Sequence, residues 1–187
     1  FLQKNSRDFN DLFIYNGADF EPWVAKWRAG GFEHPERILN MATALKGRNI
    51  KLIEGGHGVD PHIWLDPLMM IEEAKIIRDA FVTLAPESAS RYTENTERLI
   101  AELSDLDALF HVGLQACEQN DIVVSHEAFM YLGRAYGISV TSIAGISPDE
   151  EPSPKELARI ADLVRAKGVK YVFFETTVSP KLAEMIA

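Results

Sequence analysis

Apolar and polar positions alternate along this chain at spacings that predict several helices. Between Pro67 and Leu84, apolar residues recur every three or four positions, which is the pattern of an amphipathic helix (Ile71, Ala74, Ile77, Phe81). Residues 87–117 repeat apolar side chains at a spacing near 3.5. They predict a helix of about 30 residues, roughly 45 Å long. A helix of that length is better suited to joining two lobes than to lying within one compact domain.

After this long helix, short apolar runs alternate with helical patterns. Strands are predicted at Asp121–Ser125, Ser139–Ala144 and Lys170–Glu175. Helices are predicted at Ala128–Tyr136, from Ser153 to Gly168 with a Ser153/Glu156 capping box, and from Pro180 onward. Between them, Ser147–Pro152 predicts an acidic, rigid connection. Regular alternation of this kind is typical of a parallel sheet covered on both faces by helices.

Before the long helix, the pattern is less regular. A strand is predicted at Phe9–Tyr15, where Asn16-Gly17 ends it, and a weak strand at Ile50–Ile53. Pro22 begins a short helix in which Trp23 and Trp27 are predicted to form a core-facing stripe. Residues 36–45 predict one or two further helical turns.

Together these elements predict an α/β protein of two lobes, each with a mostly parallel sheet flanked by helices, joined by one long rigid helix. The predicted boundaries are residues 1–86 for the first lobe, 87–117 for the linking helix and 118–187 for the second lobe. The chain starts at Phe1 without a methionine and stops inside a helical pattern. We therefore expect it to be a fragment in which both lobes are incomplete.

Charge and cysteine content limit the classes of function. The formal net charge is −9 and the pI is near 5.0, which argues against non-specific binding to nucleic acid or to anionic membranes. Cys117 is the single cysteine, so the sequence has no intrachain disulfide and no zinc site of the CxxC type.

Two of the five histidines lie where a binding site is expected. His62 lies in Asp60-Pro61-His62-Ile63-Trp64-Leu65-Asp66-Pro67, a turn restrained by two prolines, and Asp66 is predicted to cap the helix that begins at Pro67. His126 and Glu175 each lie at the carboxyl end of a predicted strand. Ligands of parallel sheets bind beyond the carboxyl ends of the strands, so these side chains are the candidates.

The other histidines have simpler explanations. His34 precedes a proline in a polar loop, His57 lies among glycines, and His111 falls on the long helix, where we expect a solvated face. Motifs of zinc proteases and serine hydrolases, HExxH and GxSxG, are absent from the sequence. Ser125 and His126 are neighbours on a strand and point to opposite faces, so they suit a nucleophile and its base poorly.

Several motifs in one order carry a resemblance. The His62 turn is followed by Ser125-His126-Glu127-Ala128-Phe129 and Tyr136-Gly137. Further motifs are Tyr15-Asn16-Gly17 with Glu21-Pro22-Trp23, Gly145-Ile146-Ser147-Pro148 through Pro154, and Phe174-Glu175 with Val178-Ser179-Pro180-Lys181. Together they resemble the metal-specific solute-binding proteins of bacterial ABC importers, the zinc and manganese receptor family. The resemblance covers nearly the whole chain.

The resemblance implies two α/β lobes joined by a long helix, with one metal ion bound between them. His62 and His126 match two of the four ligands. The other two are expected in segments before and after this chain. Asp60 and Glu175 are expected to orient a ligand or tie the lobes, because ligating histidines usually donate their second N–H to a carboxylate or carbonyl. Two histidines favour Zn²⁺, with Mn²⁺ as the alternative.

The resemblance also implies a non-enzymatic monomer that delivers its metal ion to a cognate ABC permease. It would act in the periplasm or as a lipid-anchored protein on the outer face of the cytoplasmic membrane. Two other hypotheses stay open. One is a zinc-dependent hydrolase in which Glu127 or Glu175 acts as the general base. The other is a metal-free adhesin or scaffold with the same fold.

Overall fold

The computed structural model describes residues 12–30, 35–55, 58–147 and 152–174. It is a mixed α/β protein whose residues group into two compact units. Of the described residues, the first unit contains those up to Ile63 and Leu68–Ser104. The second contains Trp64–Pro67 and those from Asp105 onward. Within the described ranges, no helix is long and apolar enough to cross a membrane.

The first unit is built on two short parallel strands. Strand β1 (Phe13–Tyr15) pairs with β2 (Ile38–Asn40), and Tyr15 lies opposite Asn40 in the register. Helix α1 (Trp23–Ala29) lies between them in sequence, and α2 (Met41–Gly47) follows β2 directly. Two-residue strands β3 (Glu54–Gly55) and β4 (Gly58–Val59) form an antiparallel pair.

One prediction for this unit was confirmed in part and another was wrong. The one or two helical turns predicted at residues 36–45 are present as a 3₁₀ turn at Pro35–Arg37 and the start of helix α2 at Met41, but strand β2 separates them. Asn40 ends the strand and caps the helix, since its side chain accepts a hydrogen bond from the Thr43 N–H. The weak strand predicted at Ile50–Ile53 is not formed. The nearest strand is β3, one residue later.

The predicted core-facing stripe of Trp23 and Trp27 is confirmed only in part. Val24 is the buried residue of α1, whereas the Trp23 side chain is 49% exposed. Both tryptophan rings contact Phe13 of β1, at centroid distances of 6.1 Å for Trp23 and 4.8 Å for Trp27. The two tryptophan rings therefore connect the helix to Phe13 of the strand.

Two longer helices follow. Helix α3 (Pro67–Leu84) has the predicted bounds, and a 3₁₀ turn at Pro86–Ser88 separates it from α4 (Ala89–Leu114). At 26 residues, α4 is somewhat shorter than the predicted 87–117 helix. It contributes residues to both units, because the division falls between Ser104 and Asp105.

The second unit contains the predicted parallel sheet. Its strands β5 (Asp121–Val124), β6 (Ser139–Ser142) and β7 (Val172–Phe173) are arranged in the order β6-β5-β7, all parallel. Helix α5 (Met130–Tyr136) connects β5 to β6, and α6 (Pro154–Lys167) precedes β7. Four buried residues, Val123, Ile143, Ile160 and Val164, form the core between the sheet and α6.

Helix α6 begins as predicted. Ser153 accepts from the Glu156 N–H, and the Glu156 carboxylate accepts from the Ser153 N–H at 2.8 Å, which completes the capping box. The helix ends at Gly168 with a φ of +62°, a left-handed conformation that glycine adopts without steric cost. Local sequence thus sets both ends of α6.

Candidate metal centre

His62 is held by the carboxylate of Asp60. Oδ1 of Asp60 accepts a hydrogen bond from the backbone N–H of His62 at 2.9 Å and lies 2.8 Å from Nδ1 of its ring. Both residues are buried, with exposures of 3% for Asp60 and 6% for His62. When the imidazole is neutral, donation from Nδ1 to this carboxylate leaves the lone pair on Nε2, which is the form that binds a metal ion.

The backbone around His62 is fixed as well. The carbonyl of Pro61 accepts the N–H of Ile63 at 2.8 Å, which closes a three-residue turn with His62 at its centre. Before this turn, the Asp60 N–H donates to the Ile53 carbonyl at 2.9 Å. After it, the fully buried Ile63 side chain holds the chain in the core. The prolines restrain the segment, and these contacts fix its path.

The segment that follows His62 starts helix α3 as predicted. Asp66 is buried, and Pro67 is the first residue of the helix. Proline suits that position because its missing N–H would have no helical partner there. Residues Trp64–Pro67 group with the second unit, whereas Asp60–Ile63 group with the first.

His126 lies two residues beyond the end of strand β5, in the second unit. The residue is 5% exposed, and the last two residues of the strand, Val123 and Val124, are also buried. The His126 carbonyl accepts the N–H of Ala128 at 2.8 Å, while the N–H of Glu127 donates to the Gly145 carbonyl at 2.8 Å. A tight turn at the carboxyl end of a central parallel strand therefore carries this imidazole.

The remaining candidates differ in their position. His111 is exposed on α4, where it lies 3.7 Å from the Asp107 carboxylate, so the solvated face predicted for it is confirmed. Glu127 is partly buried next to His126. Glu175, His34, His57 and the connection at 148–151 all lie outside the described residues, as does the helix predicted from Pro180.

Comparison with known proteins identifies the family. A family model described as zinc-uptake complex component A, periplasmic (ZnuA), matches residues 10–187. This chain belongs to the ZnuA family. The resemblance inferred from the motifs is thereby confirmed, and the zinc-type branch is the one matched.

Individual relatives agree with this assignment. The high-affinity zinc uptake system protein ZnuA of Bacillus subtilis (strain 168) is 33% identical over 195 residues, which cover 95% of this chain and 59% of that protein. Zinc-binding protein AdcA of Streptococcus pyogenes serotype M6 (strain ATCC BAA-946 / MGAS10394) is 37% identical over 202 residues, covering 95% of this chain and 38% of that protein. The chain therefore spans well under two thirds of either ZnuA-family relative.

A solved structure confirms the fold. The laminin-binding protein Lmb of Streptococcus agalactiae, described as a bifunctional protein with adhesin and metal transporting activity, superposes with a TM-score of 0.83 at 30% identity. The match covers 95% of this chain and 65% of that one. The α/β fold predicted from the sequence is thus that of a ZnuA-family binding protein.

The described part of the chain does not itself assemble a complete metal site. Among those residues, no group of three or more histidine, cysteine, aspartate or glutamate side chains could hold an ion. The resemblance predicted only two ligands, His62 and His126, within this sequence. Of the predicted site residues, Asp60 and His62 are a pair that the structure brings into contact.

Two features of the first unit were missed by sequence reasoning. Asn16, at the end of β1, donates from its side-chain amide to the Pro61 carbonyl at 2.9 Å. Glu73 is buried in α3, and its Oε1 has no hydrogen-bond partner among the described residues. The turn Tyr15-Asn16-Gly17 is one of the motifs that carry the resemblance, but no local signal links Asn16 to a residue 45 positions away.

Proposed function

We propose that this chain is part of a receptor that captures zinc outside the cytoplasmic membrane and delivers it to the permease of an ABC importer. The observation that carries the proposal is the buried Asp60–His62 pair in a chain of the ZnuA family. In this proposal His62 and His126 are zinc ligands, and Asp60 orients His62. Glu175 is proposed as a second orienting carboxylate.

Zinc chemistry supports these roles. Zn²⁺ binds neutral imidazole nitrogen at about 2.0 to 2.1 Å, and a carboxylate on the second ring nitrogen sets the tautomer and raises the basicity of the ligand. Asp60 contacts His62 in that way. Manganese, the alternative cargo, prefers carboxylate and water oxygens. Two imidazoles and the zinc-related names of the relatives therefore favour zinc.

The wider setting is proposed from the family. Its description places the component in the periplasm, which supports an extracytoplasmic location, either free or lipid-anchored. The proposed partners are the divalent ion and the cognate permease, and the protein is proposed to act as a monomer without nucleic acid. The proposed lobes are residues 1–86 and 118–187, separated in sequence by the linking segment 87–117.

A receptor of this kind has no catalytic step, so we propose that the protein is not an enzyme. The family description names an uptake component, which supports this proposal. The rival hypothesis of a zinc-dependent hydrolase requires turnover with bound zinc. Hydrolysis of ester or phosphoester substrates by the zinc-loaded protein, lost in His126→Ala, would favour that rival.

Zinc affinity provides the direct test. The full-length protein, including the segments proposed to carry the other two ligands, and its His62→Ala and His126→Ala variants are titrated against a chromophoric zinc chelator, and manganese is titrated in parallel. Each substitution removes a proposed ligand, so affinity should fall at least 100-fold. His111→Ala removes an exposed imidazole on α4 and should leave affinity unchanged. Unaltered affinity in both ligand variants would overturn the proposal, and tighter binding of manganese would overturn the choice of metal.

Adhesion is a second candidate function. The Lmb protein of Streptococcus agalactiae is described as both adhesin and metal transporter. The two activities therefore occur together in one protein of this fold. Saturable binding of the purified protein to immobilised laminin, equal in the His62→Ala variant, would support a metal-independent adhesin. No binding above that of an unrelated acidic protein would exclude laminin as its target.

A further inference from the structure

The side chain of Asn16 reaches the backbone next to His62. Its Nδ2 donates to the carbonyl of Pro61 at 2.9 Å, and the same carbonyl accepts the Ile63 N–H at 2.8 Å. The second of these bonds closes the three-residue turn centred on His62. Two donors, the nearby Ile63 N–H and the Asn16 side chain just after β1, therefore fix the peptide group between Pro61 and His62.

Asn16 is itself held in place. Its backbone N–H and that of Gly17 donate to the two carboxylate oxygens of Glu21, each at 3.1 Å. Its carbonyl accepts the N–H of Ala42 at 2.9 Å. These bonds join Asn16 to the start of α1 and to the start of α2. The amide that contacts Pro61 thus projects from a turn with little freedom to move.

Gly17 makes this turn possible. Its φ is +78°, and a Cβ atom at this position would lie 2.3 Å from Oδ1 of Asn40. A residue with a side chain would be strained in this conformation and would collide with the cap of α2. The turn between β1 and α1 therefore brings Asn16 to the carboxyl ends of the two parallel strands. That edge of a parallel sheet is where ligands bind.

We propose that Asn16 is a positioning residue for His62. By holding the Pro61 carbonyl, it sets the direction in which the His62 turn presents its imidazole, while Asp60 sets the rotation of the ring. A carboxamide suits this role because it donates to a carbonyl oxygen and carries no charge. The inference rests on the proposed function, since it assigns to Asn16 an effect on a zinc ligand.

The test replaces the donor by an acceptor of the same shape. Asn16→Asp places a carboxylate opposite the Pro61 carbonyl, so the contact becomes repulsive. Zinc affinity should fall by at least 10-fold. The matched control is Asn95→Asp, the same substitution at an exposed position of α4. In this control, zinc affinity should change less than twofold.

A spectroscopic measurement separates positioning from a general loss of stability. In protein labelled with ¹⁵N-histidine, Asn16→Asp should move the ring-nitrogen resonances of His62 and leave those of His126 in place, with no metal added. Thermal unfolding of both asparagine variants is recorded alongside. If the His62 resonances of Asn16→Asp do not move and its zinc affinity is unchanged, the inference is overturned, whether or not the variant loses stability.

Two outcomes remain to be distinguished. If His62→Ala and His126→Ala leave zinc affinity unchanged, the proposed function fails. If they lower it and Asn16→Asp does not, only the role of Asn16 fails. Should Asn16→Asp not fold, Glu21→Gln provides a second variant, because it removes one of the two acceptors that hold the turn. It should lower zinc affinity by a smaller factor, and unchanged affinity in the folded Glu21→Gln protein would overturn the inference.

Discussion

A single oxygen of Asp60 contacts both the backbone and the ring of His62, at 2.9 Å from the N–H and 2.8 Å from Nδ1. The two residues are separated by Pro61 alone, so the pair is made by one short turn. Rotation of the imidazole would break the contact with Nδ1 and leave the buried carboxylate with less hydrogen bonding, which is unfavourable. The fold itself therefore sets the orientation of the ring.

Loss of the Asp60 charge should weaken zinc binding. Asp60→Asn keeps the shape of the side chain but removes the negative charge that favours donation from Nδ1. Substitutions of groups that support a ligand in this way typically lower metal affinity about 10- to 100-fold. We expect a decrease in that range, measured by competition with a chromophoric chelator at pH 7.5.

An exposed aspartate provides the control for this experiment. Asp79 on α3 pairs with Arg78 and Arg48 at the surface; partial burial raises the pKa of its carboxyl group, but the two arginines together outweigh this and lower it. Asp79→Asn should leave zinc affinity unchanged. An equal effect of the two substitutions would show that net charge, and not the contact with His62, controls the affinity.

Glu73 should make the stability of the protein depend on pH. It is 7% exposed on α3, on the same face as the buried Met69 and Ile76, and burial raises its pKa from 4.5 to about 7. Between these two values the folded state binds more protons than the unfolded state, so the free energy of unfolding falls as pH rises. The loss should be complete above pH 7, at roughly 3 kcal/mol.

Glu73→Gln removes this titration. The free energy of unfolding is measured for the variant and the parent protein by urea unfolding at pH 5 and at pH 8, with chelator present. The difference, variant minus parent, should be larger at pH 8 than at pH 5. Glu97→Gln replaces an exposed glutamate on α4 and should show no such gain. A difference between variant and parent that is the same at pH 5 and pH 8 would mean that Glu73 has an ordinary pKa in the folded state.

Two helical glycines should respond to alanine in opposite directions. A Cβ on Gly133 of α5 would lie 2.7 Å from the Ile138 carbonyl oxygen and 2.8 Å from Val140, whereas one on Gly113 of α4 would meet nothing within 4 Å. Gly133→Ala should therefore destabilise the second unit by about 1 to 3 kcal/mol. Gly113→Ala should stabilise the helix by about 0.5 to 1 kcal/mol.

Chemical unfolding followed by circular dichroism measures both effects. The chain at α5 has little room to adjust, because the Ile138 N–H donates to the Gly133 carbonyl at 3.0 Å and holds the two residues together. If Gly133→Ala were as stable as the parent protein, that close approach would be absent in solution.

Elements with strong local signals were predicted from the sequence. Helix α3 has a proline at its first position and a regular apolar spacing, and α6 has a capping box and a terminal glycine, so their bounds follow from short-range interactions. The parallel sheet of the second unit was predicted from the alternation of strands and helices. Strand β2 was missed because only its pairing with β1 distinguishes three residues of strand from the start of a helix.

The residues of the candidate site also fall into those that local sequence predicts and those that depend on the tertiary fold. The restrained His62 turn was predicted from its two prolines, and the resemblance implied that Asp60 orients a ligand or ties the lobes. The contact of Asp60 with the His62 ring is a finding of the structure. The bond from Asn16 to the Pro61 carbonyl and the burial of Glu73 depend on which segments fold against one another, so no local pattern could predict them. The spacing of residues along the chain predicts contacts between near neighbours. The contact between Asn16 and Pro61 spans 45 residues and forms only when distant segments fold together, so spacing cannot predict it.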